Sequence, residues 1–248
     1  MEQSKKRYEL LDSLRGLTLV SMILYHAAWD VVYLFGENWA WYRGFHGYLW
    51  QQSICWLFIL LSGFCWQLGK KPLRRGLIVF GAGAAVSLVT MLAMPQQKIL
   101  FGILTLLGSC MLLMIPLHPL LRQVPAGIGL AASALLFALT RNLNSGWIGF
   151  HAGVGYALPR GLYRGMLATY LGFMEKGFFS SDYFSLLPWL FLFCTGYFAY
   201  SLLSAKRPLP RIFTAGIKPL SVVGRYSLPV YLLHQPVLYL VFSLMHGV

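Results

Sequence analysis

Long apolar runs along the chain are separated by short stretches that collect charge, Gly and Pro. A helix crossing a bilayer needs about 20 mainly apolar residues. Seven runs approach or meet that length, at roughly 12–34, 48–69, 75–95, 99–121, 126–140, 183–204 and 226–246. The run at 126–140 is the shortest, and its Gly and Ala suit close helix packing in lipid. The pattern predicts an all-α integral membrane protein, a bundle of about seven transmembrane helices. No internal repeat is visible, so residues 1–248 read as a single domain. The one long stretch that does not span, about 141–182, is rich in Gly and aromatics and is expected outside the membrane. Its middle, 161–173, reads as a short interfacial helix inside either a structured cap or a substrate-facing lid.

Composition moves this from a buried core to a membrane. Of 248 residues 58% are hydrophobic and 11% charged, with mean hydropathy +0.63, against roughly 45–50% apolar and about 25% charged in soluble domains. The run after the charged N-terminus is too long for a cleaved signal and lacks a small-residue cleavage pattern, so the first helix is expected to stay. With the N-terminus cytoplasmic, most of the 20 Lys and Arg fall inside. Arg43, Lys98, Arg141, Arg160, Arg164 and Lys176 fall outside. That imbalance predicts a cytoplasmic N-terminus, an external C-terminus and a multi-pass protein of the cell membrane. The net charge of +13 reads as topology signal and as attraction to anionic lipid or a phosphorylated ligand. So little soluble surface excludes nucleic acid as a partner. Cys55, Cys65, Cys110 and Cys194 lie inside apolar runs and act as small hydrophobes, and no HExxH or CxxC spacing supports a metal site.

Ionisable groups inside a span need a partner, water or a function. At about 100° per residue, Asp12, Arg15, His26 and Asp30 project within an arc of roughly 60° on the first helix. Asp12 and Arg15 belong near the cytoplasmic surface, with His26 and Asp30 about 16–27 Å further along. His26 and Asp30 are four residues apart, a spacing that lets a carboxylate orient an imidazole for general-base work or simply pair with it at a helix end. His46, in WYRGFHGYLW, belongs to the same external level and is a second base candidate or an aromatic-belt residue. His234 and Gln235, beside Pro236, read as interhelical hydrogen bonding or substrate binding, and His151 in the external loop as a substrate contact. On the cytoplasmic side GKKPLRR carries Arg74 and Arg75, while Arg15 and Arg225 lie at the same depth. These cations serve positive-inside anchoring or, with Asp12 beside them, hold the phosphates of a bulky anionic cofactor such as coenzyme A. The pantetheine arm is long enough to follow the first-helix stripe from one end to the other.

Five segments carry a resemblance: LLDSLRGLTLVSMILYHAAWD, FILLSG, ILFGILTLLG, DYFSLLPWLFLFCTGY and VGRYSLPVYLLHQPV. In that order, over most of the chain, the sequence resembles bacterial members of the heparan-α-glucosaminide N-acetyltransferase catalytic-domain family. The resemblance implies a membrane-bound acyltransferase that takes an acetyl group from cytoplasmic acetyl-CoA to an amine or hydroxyl of an amino sugar or glycan on the other side. It places a catalytic His after the first helix, matched by His46, and a polar Asn within it, matched by His26. Here the second position is His and the connection is longer. Direct transfer would then use His26 or His46 as base with Asp30 in support and Gln235 or His234 steadying the oxyanion, with an acyl-histidine route as the covalent variant. A small-solute transporter or flippase would use the same polar face, although no inverted halves are visible. Assembly as a homodimer stays open.

Overall fold

In a computed structural model, residues 7–150, 155–205 and 208–246 are described. Ten helices appear among them. α1 covers Glu9–Tyr33, α2 Ala40–Arg43, α3 Phe45–Phe64, α4 Pro72–Ala93 and α5 Ile103–Leu121. α6 covers Ala126–Thr140, α7 Met166–Leu171, α8 Leu186–Ser204, α9 Lys218–Arg225 and α10 Ser227–His246. The described β structure is one antiparallel pairing, Trp147–Ile148 (β1) with Tyr156–Ala157 (β2). The protein is an all-α membrane protein. Six helices are long and apolar enough to cross a bilayer: α1, α4, α5, α6 with the turn after it, α8 and α10. The seventh expected span corresponds to α3, which has 20 residues but spends its first half on His46, Gly47, Gln51 and Gln52.

The chain divides into two compact units, 1–58 with 206–248, and 59–205, the division falling within α3. In the first unit α1 forms because its run holds no Pro and a single Gly, while Glu9 and Asp12 complement the positive N-terminal end of the helix. It stops after Tyr33, and Gly36, at φ +77°, supplies the left-handed turn that leads to α2. α9, which the sequence pattern does not reveal, lies on the N-terminal half of α1 with backbone against backbone. A Cβ on Gly16 would sit 2.0 Å from the Leu220 carbonyl oxygen, and one on Gly224 would sit 1.9 Å from that of Asp12. Hydroxyls fill the same seam: Ser13 and Ser221 Oγ are 2.7 Å apart, and Ile217 N–H donates to Ser13 Oγ at 2.9 Å. Further along, Leu19, Met22 and Ile54 form a buried cluster with Trp50, Val230 and Tyr231 packed around it.

In the second unit small residues again let helices approach. Gly83 of α4 backs onto the Thr105 backbone of α5, and Gly129 of α6 onto the Phe198 ring of α8. Ile59, Leu106, Met114, Phe193 and Tyr197 are fully buried at its centre. Residues 141–150 and 155–182 form a structured cap. Asn142 Nδ2 donates to the Gly149 carbonyl at 3.0 Å, Tyr163 OH to that of Leu143 at 2.8 Å, and Tyr183 OH to that of Thr169 at 2.6 Å. The expected short helix appears as α7. The cap is closed by Asp182, whose Oδ2 accepts the first N–H of α5, from Ile103, at 3.1 Å. Burial pushes that carboxyl up to about 6 in spite of the backbone donor.

Candidate functional site

The ionisable residues of α1 separate into two groups, both within the first unit. At the N-terminal end Asp12 is buried and collects three guanidiniums. Arg7 Nε lies 2.6 Å from Oδ2, Arg15 Nη1 3.5 Å from Oδ1 and Arg225 Nε 3.9 Å from Oδ2, while Arg225 Nη2 reaches Glu9 Oε1 at 3.6 Å. Arg225 is delivered by the α9 contact described above, since the Gly224 backbone beside it rests on Asp12. The Asp12 side chain is 7% exposed, against 25% for Arg15, 37% for Arg225 and 55% for Arg7. The carboxylate is the anchor, and the guanidinium forks keep faces open to solvent. Three cations against two carboxylates leave the cluster net positive, a setting suited to phosphate.

At the C-terminal end of α1, α10 supplies the partners. Asp30 is fully buried, and its Oδ1 accepts from Gln235 Nε2 at 2.8 Å. The ring of His26 lies edge-on to that of His234, with centroids 4.8 Å apart. His234 Nδ1 donates to the Tyr231 carbonyl. The i,i+4 neighbours of the sequence therefore have partners on α10: Asp30 has Gln235, and His26 has His234. Four residues of spacing put two side chains on one face, and the facing helix decides which bonds form. Three buried atoms here are left without a hydrogen-bond partner: Asp30 Oδ2, His234 Nε2 and Gln235 Oε1. All three are acceptors. A carboxylate only accepts, so Gln235 turns its N–H toward Asp30 and its oxygen away. A carbonyl only accepts, so the His234 proton sits on Nδ1 and the lone pair on Nε2. Of the two residues expected to steady the oxyanion, His234 spends its one N–H on the Tyr231 carbonyl, while Gln235 Nε2 keeps a second N–H beside the one given to Asp30.

Between the two ends the face is closed. Leu19 is fully buried and Met22 nearly so, packed with Ile54. The stripe is therefore polar at its two ends and apolar about midway.

The other sequence candidates fall elsewhere. His46 is exposed on the first turn of α3, edge-on to Phe45 with centroids 6.3 Å apart, and no described contact joins it to His26 or Asp30. Arg74 and Arg75 belong to the second unit. Arg74 is exposed, and the Arg75 guanidinium is laid over Gly69, where a Cβ would sit 1.3 Å from Nη1. His151 lies outside the described residues. Sequence reasoning missed Arg7 and Glu9, whose only signal was their position within a turn or two of Asp12. It also missed Asp182, which looked like a loop acid.

Residues 7–236 match the family model described as "Heparan-alpha-glucosaminide N-acetyltransferase, catalytic". The chain belongs to this family. By that membership the protein is a membrane acetyltransferase, and the resemblance read from the five sequence segments holds over nearly the whole chain. No curated protein and no solved structure matches it. Two of those segments, LLDSLRG at the start and VGRYSL near the end, are the ones the structure joins through the Gly16 and Gly224 contacts. In the acetyltransferase they build the arginine cluster together.

Proposed function

We propose that this protein carries an acetyl group from cytoplasmic acetyl-CoA to an amine or hydroxyl of an extracytoplasmic sugar or glycan, within the cell membrane. The observation that carries the reading is the polarity of α1: a net-positive arginine cluster at one end and buried, unpartnered acceptors at the other, about 27 Å apart at 1.5 Å per residue. Arg7, Arg15 and Arg225 hold the phosphates of the acyl-CoA, and Asp12 and Glu9 hold the arginines. A cytoplasmic N-terminus puts that cluster where acetyl-CoA is found. The thioester then reaches the outer end by displacing the Leu19–Met22 plug or by passing along another face. There a histidine takes the proton of the attacking nucleophile, His26 and His46 being the two to which the family pattern points.

Binding of acetyl-CoA to the purified full-length protein in nanodiscs tests the reading. Loss of one charge-assisted phosphate contact costs on the order of 2 kcal/mol, so Arg15→Ala and Arg225→Ala each weaken binding roughly tenfold or more. Release of CoA, coupled to acetylation of an amino sugar, separates the enzyme from a transporter built on the same polar face. A wild-type protein that binds no acyl-CoA overturns the proposal.

A further inference from the structure

We infer that His234 is the proton acceptor of the reaction, held in one tautomer by the Tyr231 carbonyl, with Asp30 and Gln235 receiving other hydrogens of the acceptor molecule. The inference rests on the acetyl-transfer reading above and assigns the proton to a third histidine in place of His26 and His46, to which the family pattern points.

The chemistry follows from which atoms are already used. The Nδ1 of His234 faces a carbonyl oxygen, which cannot donate, so the proton must reside on Nδ1. The neutral ring then carries its lone pair on Nε2, and that atom is buried with no partner. A buried acceptor left unpaired is costly, and here three such atoms gather on adjacent turns of two packed helices. Gln235 Nε2 is turned to Asp30 Oδ1, which ties His234's neighbour to α1, and the His26 ring packs edge-on against His234 at 4.8 Å between centroids. A group that satisfies all three atoms must bring three donors: an amine with two hydrogens and a neighbouring O–H, or a hydroxyl with two neighbouring N–H or O–H groups. That is what a nucleophile of acyl transfer offers. His46, by contrast, is exposed on α3, where water competes for its lone pair.

In the step itself the nucleophile's nitrogen or oxygen attacks the thioester carbonyl carbon, and its proton passes to His234 Nε2. The new N–C or O–C bond forms. The C–S bond breaks with its electron pair remaining on sulfur, and the CoA thiolate leaves and takes up a proton, returning the imidazole to its neutral form. Asp30 Oδ2 and Gln235 Oε1 orient the acceptor molecule through the hydrogens that remain, on the nucleophilic group or on the O–H and N–H groups beside it.

Two measurements on the full-length protein in nanodiscs test this. With 15N-labelled histidine rings, and His234→Asn to assign the signals, NMR is expected to show His234 neutral with the proton on Nδ1; a proton on Nε2 overturns the inference. His234→Asn keeps an N–H for the Tyr231 carbonyl and lacks the Nε2 lone pair, so acetyl-CoA binding stays within twofold of wild type. Its kcat with glucosamine as acceptor falls by about 10²-fold or more, the usual scale of general-base catalysis. Turnover within fivefold of wild type overturns the assignment to His234 while acetyl-CoA binding leaves the parent reading standing. A wild type that fails to bind acetyl-CoA overturns both. Where glucosamine accepts no acetyl group, the tautomer alone decides.

Discussion

The two ends of α1 use the same residue type in opposite ways. Asp12 and Asp30 are both buried acids on one helix face, but Asp12 sits among three guanidiniums, whereas Asp30 has one amide donor and an oxygen left bare. Burial of a carboxylate is costly unless it is paired and hydrogen-bonded. Asp12 meets that condition within the protein, so its place is justified by structure alone. Asp30 meets it on one oxygen only, through Gln235. On the proposed function, the unsatisfied acid, more than the well-paired one, is the place for a substrate.

The comparison yields stability predictions of opposite sign. The largest effect is expected for Asp12→Ala, which leaves three arginines facing one another. Removing one partner of a buried pair costs about 3–5 kcal/mol, and the open faces of these arginines place the loss near about 3. A scan of thermal midpoint in detergent should show this variant lowest. Gly224→Ala comes next, about 2 kcal/mol, because its Cβ falls 1.9 Å from the Asp12 carbonyl oxygen and α9 must lift off α1. A thermal midpoint equal to wild type would mean that the seam is looser than its geometry.

Asp182 tests the same principle in the second unit, with pH as the variable. Its carboxyl is raised from 3.8 to about 6, so the folded protein favours the neutral form. That contribution is present in full below about pH 4, is lost as pH rises through about 6, and is absent above. Asp182→Asn keeps an acceptor for Ile103 N–H and never ionises. The variant should therefore melt above wild type at pH 7.5, with the gap closing between pH 6 and pH 4. A gap independent of pH would remove the burial argument. The smallest change in stability is expected for Asp30→Asn, within about 1 kcal/mol and on the stabilising side, since the buried charge goes while Oδ1 still accepts from Gln235. The same variant should lose turnover. A large drop in thermal midpoint for Asp30→Asn would erase the distinction between the two ends.

Much of this was legible in the chain. Apolar run lengths place α1, α4, α5, α6, α8 and α10, and the 100° periodicity finds the polar face of α1 because both depend on residues near one another in sequence. The pairing of that face does not. Arg225, His234 and Gln235 come from more than 200 positions away, and nothing in HAAWD indicates that Asp30 will turn to Gln235 instead of His26. α9 escaped notice because KPLSVVGR is too short and polar for a span; its small residues, Ser221 and Gly224, make sense only once α1 lies against them. In α3 the apolar second half, FILLSGF, follows a first half that carries His46, Gln51 and Gln52, so run length alone describes it less well than the other six.

The seam between Gly16 and Gly224 has an effect beyond holding two helices. α9 and α10 are separated by one residue, Tyr226, so the part that seats Arg225 on Asp12 also carries His234 and Gln235. Sliding α9 by a single residue along α1 would misplace the arginine cluster and, at the far end, move Gln235 off Asp30. Two glycines with no chemistry of their own thus act as the gauge that keeps the arginine cluster and the Asp30–Gln235 contact in register, and a methyl group there would be felt most where it is not.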